Sequence, residues 1–206
     1  MKLDPPRLPE ALAGHYELPD EDEYEGCLFD EADMAHERMV AREFRSCVFR
    51  RCTLTNADLT RAGFVDVLFD HCDLSGCRLE SVVTQRVRFD TCRMTGADMS
   101  RSLLRSTVFT ICRADYLNLN ESKLDHVLLE DCRLTEAAVE SVTLRSAEFS
   151  GCDLTRANLY RTSLRGLDLR SCTLEGITVN LPDLRGLIVT PMQAAELAGL
   201  LGLVVR

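Results

Sequence analysis

Residues 52–72 read CTLTNADLTRAGFVDVLFDHC, and within them a large apolar residue recurs at every fifth position. These residues are Leu54, Leu59, Phe64 and Phe69, and each has a small residue two positions before it. A five-residue period fits neither the 3.6-residue turn of an α-helix nor the two-residue alternation of a simple strand. It indicates a coil with short flat sides and a corner at each repeat, in which both residues point inward.

The same register continues without a slip from Phe29 to Val189. Its large inward position has 33 members in this range, of which 31 are Leu, Phe, Met or Val; the exceptions are Thr84 and Ala114. All ten cysteines occupy the small inward position, where a free thiol packs as a small apolar group. Seven of them recur every 20 residues: Cys52, Cys72, Cys92, Cys112, Cys132, Cys152 and Cys172.

Four repeats therefore make one turn, and the predicted fold is an all-β solenoid. We expect a right-handed, quadrilateral parallel β-helix of about eight 20-residue coils over residues 26–189. At a coil spacing of about 4.8 Å this rod would be roughly 38 Å long. Side 1 comprises residues 27–31 and their equivalents every 20 residues, and sides 2, 3 and 4 begin likewise at residues 32, 37 and 42. The charged Glu37 and Arg42 fall at inward positions of the first coil, where we expect them to pair or to loosen that coil.

The repeat resembles the pentapeptide-repeat family, whose pattern A-D/N-L-x-x stands here as Ala57-Asp58-Leu59-Thr60-Arg61 and Ala157-Asn158-Leu159-Tyr160-Arg161. The pattern also stands, with Met for Leu, as Ala97-Asp98-Met99-Ser100-Arg101. The resemblance implies the β-helix. It says little about function, because such repeats occur in proteins of many roles.

Both ends of the chain differ from the repeat. Residues 1–25 form an acidic segment that we expect to be irregular, with the run PDEDEYE at residues 19–25. At the other end, Thr190-Pro191 predicts the start of a helix that stops at Gly202, followed by a short apolar strand. Residues 190–206 are thus predicted to cap the last coil.

This C-terminal segment is more apolar than one coil end can bury, which favours a homodimer; the alternative is a cap folded back on its own subunit. Its pattern, Gln193-Ala194-x-x-Leu197-x-x-x-Leu201-Gly202-Leu203-x-Val205, is similar to the dimerisation segment of the Qnr and MfpA proteins. The predicted dimer residues are Met192, Gln193, Ala194, Leu197, Leu200, Leu201, Leu203 and Val205. The resemblance implies a rod-shaped DNA mimic that binds DNA gyrase or topoisomerase IV. Loops that interrupt the repeat in many Qnr proteins are lacking between residues 29 and 189, which puts protection against quinolones in doubt.

The charge of the chain is −9, which argues against direct binding of nucleic acid. Side 1 carries eight acids against four arginines, whereas side 4 has a net charge of +3. An acidic rod suits a DNA-binding groove lined with Lys and Arg, but neighbouring acids and arginines can also form weak ion pairs that serve solubility alone. The candidate partner-binding acids are Asp30, Glu31, Asp70, Asp73, Asp90, Glu130, Asp131, Glu148 and Asp168.

Sequence motifs for catalysis, cofactors or metal ions are missing. No Gly-rich phosphate loop, nucleophile elbow or metal-binding His pattern occurs, so we expect no enzyme and no cofactor. The absence of an apolar run near the N-terminus predicts a cytoplasmic protein with reduced thiols and no membrane contact. The leading hypothesis is a DNA mimic that modulates a type II topoisomerase or protects it from quinolones or a natural poison. The alternative is a non-enzymatic scaffold for another protein partner.

Overall fold

A computed structural model describes residues 3–15 and 21–203 and has the predicted four-sided parallel β-helix. Ten strands are assigned within the described residues, and all of their pairings are parallel. The strands are β1 (Ala13–His15), β2 (Glu23–Glu25), β3 (Cys27–Asp30), β4 (Glu43–Arg45), β5 (Val48–Arg50), β6 (Gly63–Asp70), β7 (Val83–Asp90), β8 (Leu103–Thr110), β9 (Lys123–Glu130) and β10 (Thr143–Ser150).

The stacking register is 20 residues, as the cysteine spacing predicted. On side 1, successive pairings lead from Leu28 in β3 to Glu148 in β10 in six one-turn steps. Isolated bridges continue the same register to Thr173 on side 2 and Thr178 on side 3. The strand-paired part therefore has about six turns, slightly fewer than the eight predicted, because the last coils are joined by bridges and turns.

The core is made of stacked side chains from successive coils. Phe29, Phe49, Phe69, Phe89 and Phe109 lie face to face, with ring centroids 4.7–4.8 Å apart. This spacing matches the distance between hydrogen-bonded strands, so one register serves backbone and side chains together. The ten cysteines are all buried and free.

The corners of the coil have left-handed backbone, with positive φ at every fifth residue from Gly26 to Arg161 that the chain places there. The corners come in two kinds. Around sides 2 and 3 a hydrogen bond closes each turn, as where the Ala57 N–H donates to the Leu54 carbonyl at 3.0 Å. The long strands β6 to β10 instead run through the corner between sides 4 and 1 without such a bond.

The N-terminal segment is more ordered than its composition predicted. Strand β2 carries Tyr24, which is 1% exposed and stacks on Phe44 at 4.9 Å, so the five-residue register begins before residue 26. Strand β1 pairs with β3 and covers the lower edge of the solenoid. Farther up, the Arg7 backbone N–H donates to Asp66 at 2.9 Å and fixes the segment against the rod.

The first coil differs from the expectation for its two inward charges. Glu37 is exposed rather than inward. Arg42 is half-buried and donates to the Tyr24 hydroxyl at 3.3 Å, and its guanidinium lies 3.8 Å from Asp22. The two charges are therefore accommodated separately, one by solvent and the other by the N-terminal segment.

Helix α1 (Pro191–Ala198) closes the upper end, after a 3-10 turn at Leu181–Leu184. Its capping box is complete: the Gln193 N–H donates to the Thr190 hydroxyl, and the Thr190 N–H donates to the Gln193 side-chain oxygen. A second 3-10 turn (Gly199–Leu201) leads to Gly202, whose φ of 73° ends the helical segment. The predicted strand after Gly202 lies mostly outside the described residues.

Candidate interaction surfaces

Side 1 carries the predicted acidic array, and in its lower half arginines neutralise the carboxylates. Arg50 lies one coil above Asp30 and one coil below Asp70, with N–O distances of 3.9 and 3.7 Å. Arg51 pairs with both Asp30 and Glu31 at 2.9 Å. This half is a ladder of exposed ion pairs, each of which contributes about 0–1 kcal/mol.

The upper half of side 1 has fewer cations. Glu130 and Asp131 are exposed, and within the described residues neither lies in an ion pair. Asp168 is also exposed, and hydrogen bonds from Arg170 hold the pKa of its carboxyl down at about 2. The negative charge of side 1 is therefore concentrated toward the C-terminal end of the rod.

The remaining predicted acids are only partly exposed. Asp90 lies 3.3 Å from Arg88, and Asp73, on side 2, lies 3.9 Å from Arg93. Glu148 is half-buried at the top of β10. The structure thus places all nine acids on sides 1 and 2, but it does not make them one continuous unpaired array.

Side 4 carries a basic groove that charge counting only suggested. Arg105, Lys123 and Arg145 are exposed around an open groove of about 380 Å³ floored by Leu103 and Leu124. Asp125 also lines it, and its carboxylate accepts from the ring of His126 at 2.9 Å. The three cations form no ion pair among the residues that the structure describes.

Two half-hidden acids form bidentate pairs that the sequence did not reveal. Arg86 holds both oxygens of Asp66 at 2.6 Å, and burial of Asp66 is outweighed by these bonds, so the pKa of its carboxyl is lowered. Arg133 likewise holds Asp115 from the next coil. Both acids are buried, at 7% and 5% exposed. These pairs join successive coils and are structural.

The cysteine column offers no reactive group. The Cys72 thiol donates to the Phe49 carbonyl, 23 residues earlier, and the Cys92 thiol repeats this bond to Phe69 one coil higher. Burial raises the pKa of the Cys77 thiol to about 12. No cluster of three or more potential metal ligands occurs in the part of the chain that the structure describes. These thiols pack and donate to the main chain.

The predicted dimer residues divide into two groups. Met192, Ala194, Leu200 and Leu203 are exposed, with Met192 at 76%. Gln193 is instead buried in its own subunit, and Leu197 packs partly against the core. The backbone of Leu201 is described, whereas Val205 lies outside the described residues.

Beside the exposed residues lies an apolar groove of about 210 Å³. It is lined by Leu181, Leu184, Leu187, Val189, Ala194, Leu197 and Ala198. Helix α1 therefore caps the last coil and at the same time leaves an apolar surface at the end of the rod. Among the described residues, no helix has the length and apolar character needed to cross a membrane.

Comparison with solved structures supports the fold. HetL, described as a pentapeptide-repeat protein involved in heterocyst differentiation regulation in the cyanobacterium Nostoc sp. strain PCC 7120, is 19% identical with a TM-score of 0.51. The match covers 85% of this chain and 87% of HetL. At this identity the similarity concerns the fold alone.

QnrB1, described as a plasmid-mediated fluoroquinolone resistance protein, is also similar. A trypsin-treated variant is 24% identical with a TM-score of 0.43, covering 95% of this chain and 98% of that one. The full-length form is 18% identical with a TM-score of 0.40, covering 88% and 100%. No curated protein sequence matches this chain significantly.

Family comparison agrees with the observed repeat. The family described as "Pentapeptide repeats (8 copies)" matches residues 43–76, and "Pentapeptide repeat region" matches residues 82–159. Together they cover more than half of the chain, within the part where the 20-residue register is unbroken. The chain is a member of the pentapeptide-repeat family.

Proposed function

We propose that this protein mimics DNA and binds DNA gyrase or topoisomerase IV, modulating the enzyme or protecting it from quinolones or a natural poison. The observation that carries the proposal is the exposed carboxylate cluster at the upper end of side 1, where Glu130 and Asp131 have no arginine partner among the described residues. Carboxylates fixed on a rigid rod compete with phosphates for a groove lined with Lys and Arg, and their field steers the encounter.

The end of the rod extends this argument to a dimer. Met192, Leu200 and Leu203 expose apolar surface next to the apolar groove of α1, and such surface is stabilised when a second copy covers it. Two strand-paired regions of six turns, each about 29 Å long, would then lie end to end and double the acidic surface. The similarity of residues 193–205 to the Qnr and MfpA dimerisation segment supports the same arrangement.

A supercoiling assay tests the proposal directly. Purified gyrase and topoisomerase IV are assayed with increasing protein, with and without a quinolone, and binding is measured separately by calorimetry. We expect inhibition or protection at micromolar protein. Absence of binding, inhibition and protection with both enzymes would overturn the proposal.

Matched charge reversals locate the surface. Asp131→Lys changes an exposed corner between sides 1 and 2, whereas Glu121→Lys makes the same charge change at an exposed corner between sides 3 and 4. Both residues have positive φ, 52° and 61°, so the backbone demand is alike. We expect Asp131→Lys to weaken binding at least tenfold and Glu121→Lys to change it less than twofold. Equal effects would assign the binding to net charge.

A second candidate is a scaffold for another protein partner. The arginine ladder at the lower half of side 1 favours it, because Asp30, Arg50 and Asp70 largely neutralise one another. Unbiased capture from a cell extract separates the two functions. Recovery of topoisomerase subunits supports the first, and reproducible recovery of another partner without them supports the second.

A further inference from the structure

The stack of coils is interrupted at one level. Elsewhere in the rod, residues such as Met34 donate their N–H to the carbonyl 19 positions on, at Thr53, and this bond repeats coil after coil. Among the described residues, the corresponding bonds from Leu144, Ser146 and Phe149 to the next coil are missing. Strand β10 thus has one paired edge, against β9, and one open edge.

Side-chain hydroxyls mark both ends of the interruption. The Val142 N–H donates to the Thr162 hydroxyl at 3.0 Å, and the Gly151 N–H donates to the Ser171 hydroxyl at 3.1 Å. Regular pairing resumes where the Leu154 N–H donates to a main-chain carbonyl at 3.0 Å. The open edge therefore spans sides 4 and 1 and is bounded on both ends.

A change of corner type explains the opening. In the coil above the gap, the Leu167 N–H donates to the Leu164 carbonyl at 3.1 Å, and the Cys172 N–H donates to the Leu169 carbonyl at 3.0 Å. The corners below, from residue 46 to residue 151 on these two sides, lack such bonds within the described chain. A coil with closed turns cannot follow the path of the extended strand β10, so the two separate.

The separation leaves an open cleft of about 720 Å³. Leu144 and Ala147 are only half-buried there, although the equivalent Leu124 and Val127 one coil below are buried. The cleft is lined by Ser146, Ala147, Glu148, Phe149, Ser150, Gly166, Asp168, Arg170 and Ser171. Main-chain donors, half-exposed core and polar side chains thus meet at one place.

We propose that this cleft binds an extended segment of another polypeptide, which adds to the open edge of β10. Unpaired strand edges are templates for an added strand, whose main chain supplies the missing hydrogen bonds. Arg145 and Arg165 are exposed on the two lips at the side 4 end, and they select an acidic residue of the peptide at that end. The site is independent of the topoisomerase proposal, since it requires main-chain pairing rather than an acidic face.

The first test uses a displayed library of random 12-residue peptides, selected on the full-length protein. The strongest selected peptide is synthesised, and its affinity is measured for the wild type, Ser146→Trp and Ser106→Trp. Both serines occupy the same corner column with φ of 52° and 48°, but only Ser146 lines the cleft. We expect at least a tenfold loss for Ser146→Trp and less than a twofold change for Ser106→Trp.

Two further measurements do not depend on a variant folding. N-methylation of alternate peptide residues should weaken binding at least tenfold, because it removes main-chain donors. Hydrogen exchange at Leu144, Ser146 and Phe149 should be fast in the free protein and slow in the complex, whereas Leu104, Ser106 and Phe109 in the paired strand β8 stay protected throughout. Failure to select any peptide, equal binding by both variants, or equal protection of the two sets in the free protein would overturn the proposal.

Discussion

The side-chain amide of Gln193 donates to the carbonyl oxygen of Cys172 at 2.7 Å and to that of Leu169 at 2.9 Å. One residue of α1 thereby satisfies two main-chain acceptors on the last coil. We expect Gln193→Ala to lower the free energy of unfolding by about 1–3 kcal/mol, because the buried carbonyls lose their donors. Glu196→Ala, an exposed change on the same helix, is the control, and chemical denaturation is the measurement. Equal effects would mean that the amide does not cap the coil.

The pair Asp66–Arg86 should hold the N-terminal segment in place. Asp66→Asn removes the charge that accepts from Arg86 and from the Arg7 N–H, and we expect a loss of about 2–3 kcal/mol. Trypsin should then cut after Arg7 faster than in the wild type. Asp125→Asn, on the same side of the rod, is the control and should leave the cleavage rate unchanged. Unchanged cleavage in Asp66→Asn would contradict the role of this contact.

The corner residue Ile111 is in a conformation that β-branched side chains disfavour. It has a φ of 54° and is 56% exposed, so little packing offsets the strain. We expect Ile111→Asn to raise the free energy of unfolding by about 0.5–1 kcal/mol, since Asn tolerates left-handed backbone. Ile111→Val keeps the branching and should change little. Destabilisation by Asn would show that the side chain makes a contact worth more than the strain.

The exposed apolar residues of α1 should join two copies. We expect the mass of a dimer for the wild type by light scattering, and that of a monomer for Met192→Asp and Leu200→Asp. Glu196→Lys on the same helix should leave the dimer intact. Leu197→Asp is less informative, because this side chain also packs against its own core. A monomeric wild type at micromolar concentration would exclude the arrangement.

Stability should fall in acid between about pH 4 and pH 2. The Thr155 hydroxyl, 2.6 Å from Asp153, lowers the pKa of that carboxyl, and Arg170 lowers that of Asp168 to about 2. Both folded values lie below the unfolded value of about 3.9, so the stabilisation is present above that pH and is lost as pH falls. Thr155→Val should flatten this dependence in denaturant titrations. An equally steep dependence in the variant would remove Asp153 from the explanation.

The sequence predicted the coil but not the places where backbone geometry changes. The positions of Phe29, Cys52 and their equivalents determined the register, because each inward column must stack on itself. Tyr24 lies five residues before Phe29 and carried the same signal, but the acidic residues around it obscured its place in the core. Glu37 occupies an inward position in the register and is nevertheless exposed, since the first coil has no complete coil below it.

The cleft could not be read from the repeat. Leu164, Leu167 and Leu169 continue the register across it without any departure. What changes is whether the corners of that coil close with a hydrogen bond, and this depends on backbone angles that the side-chain pattern does not specify. The ion pairs on side 1 were equally hidden, because the direction of each arginine decides which acid it neutralises.

The 20-residue register makes length a heritable variable of this molecule. Each coil bonds only to the coils directly above and below it, so duplication of one coil, such as residues 72–91, would insert a new layer without disturbing the others. Every such event would lengthen the rod by about 4.8 Å and repeat one set of outward side chains. Evolution can thus adjust the reach of the protein and its surface chemistry in fixed increments.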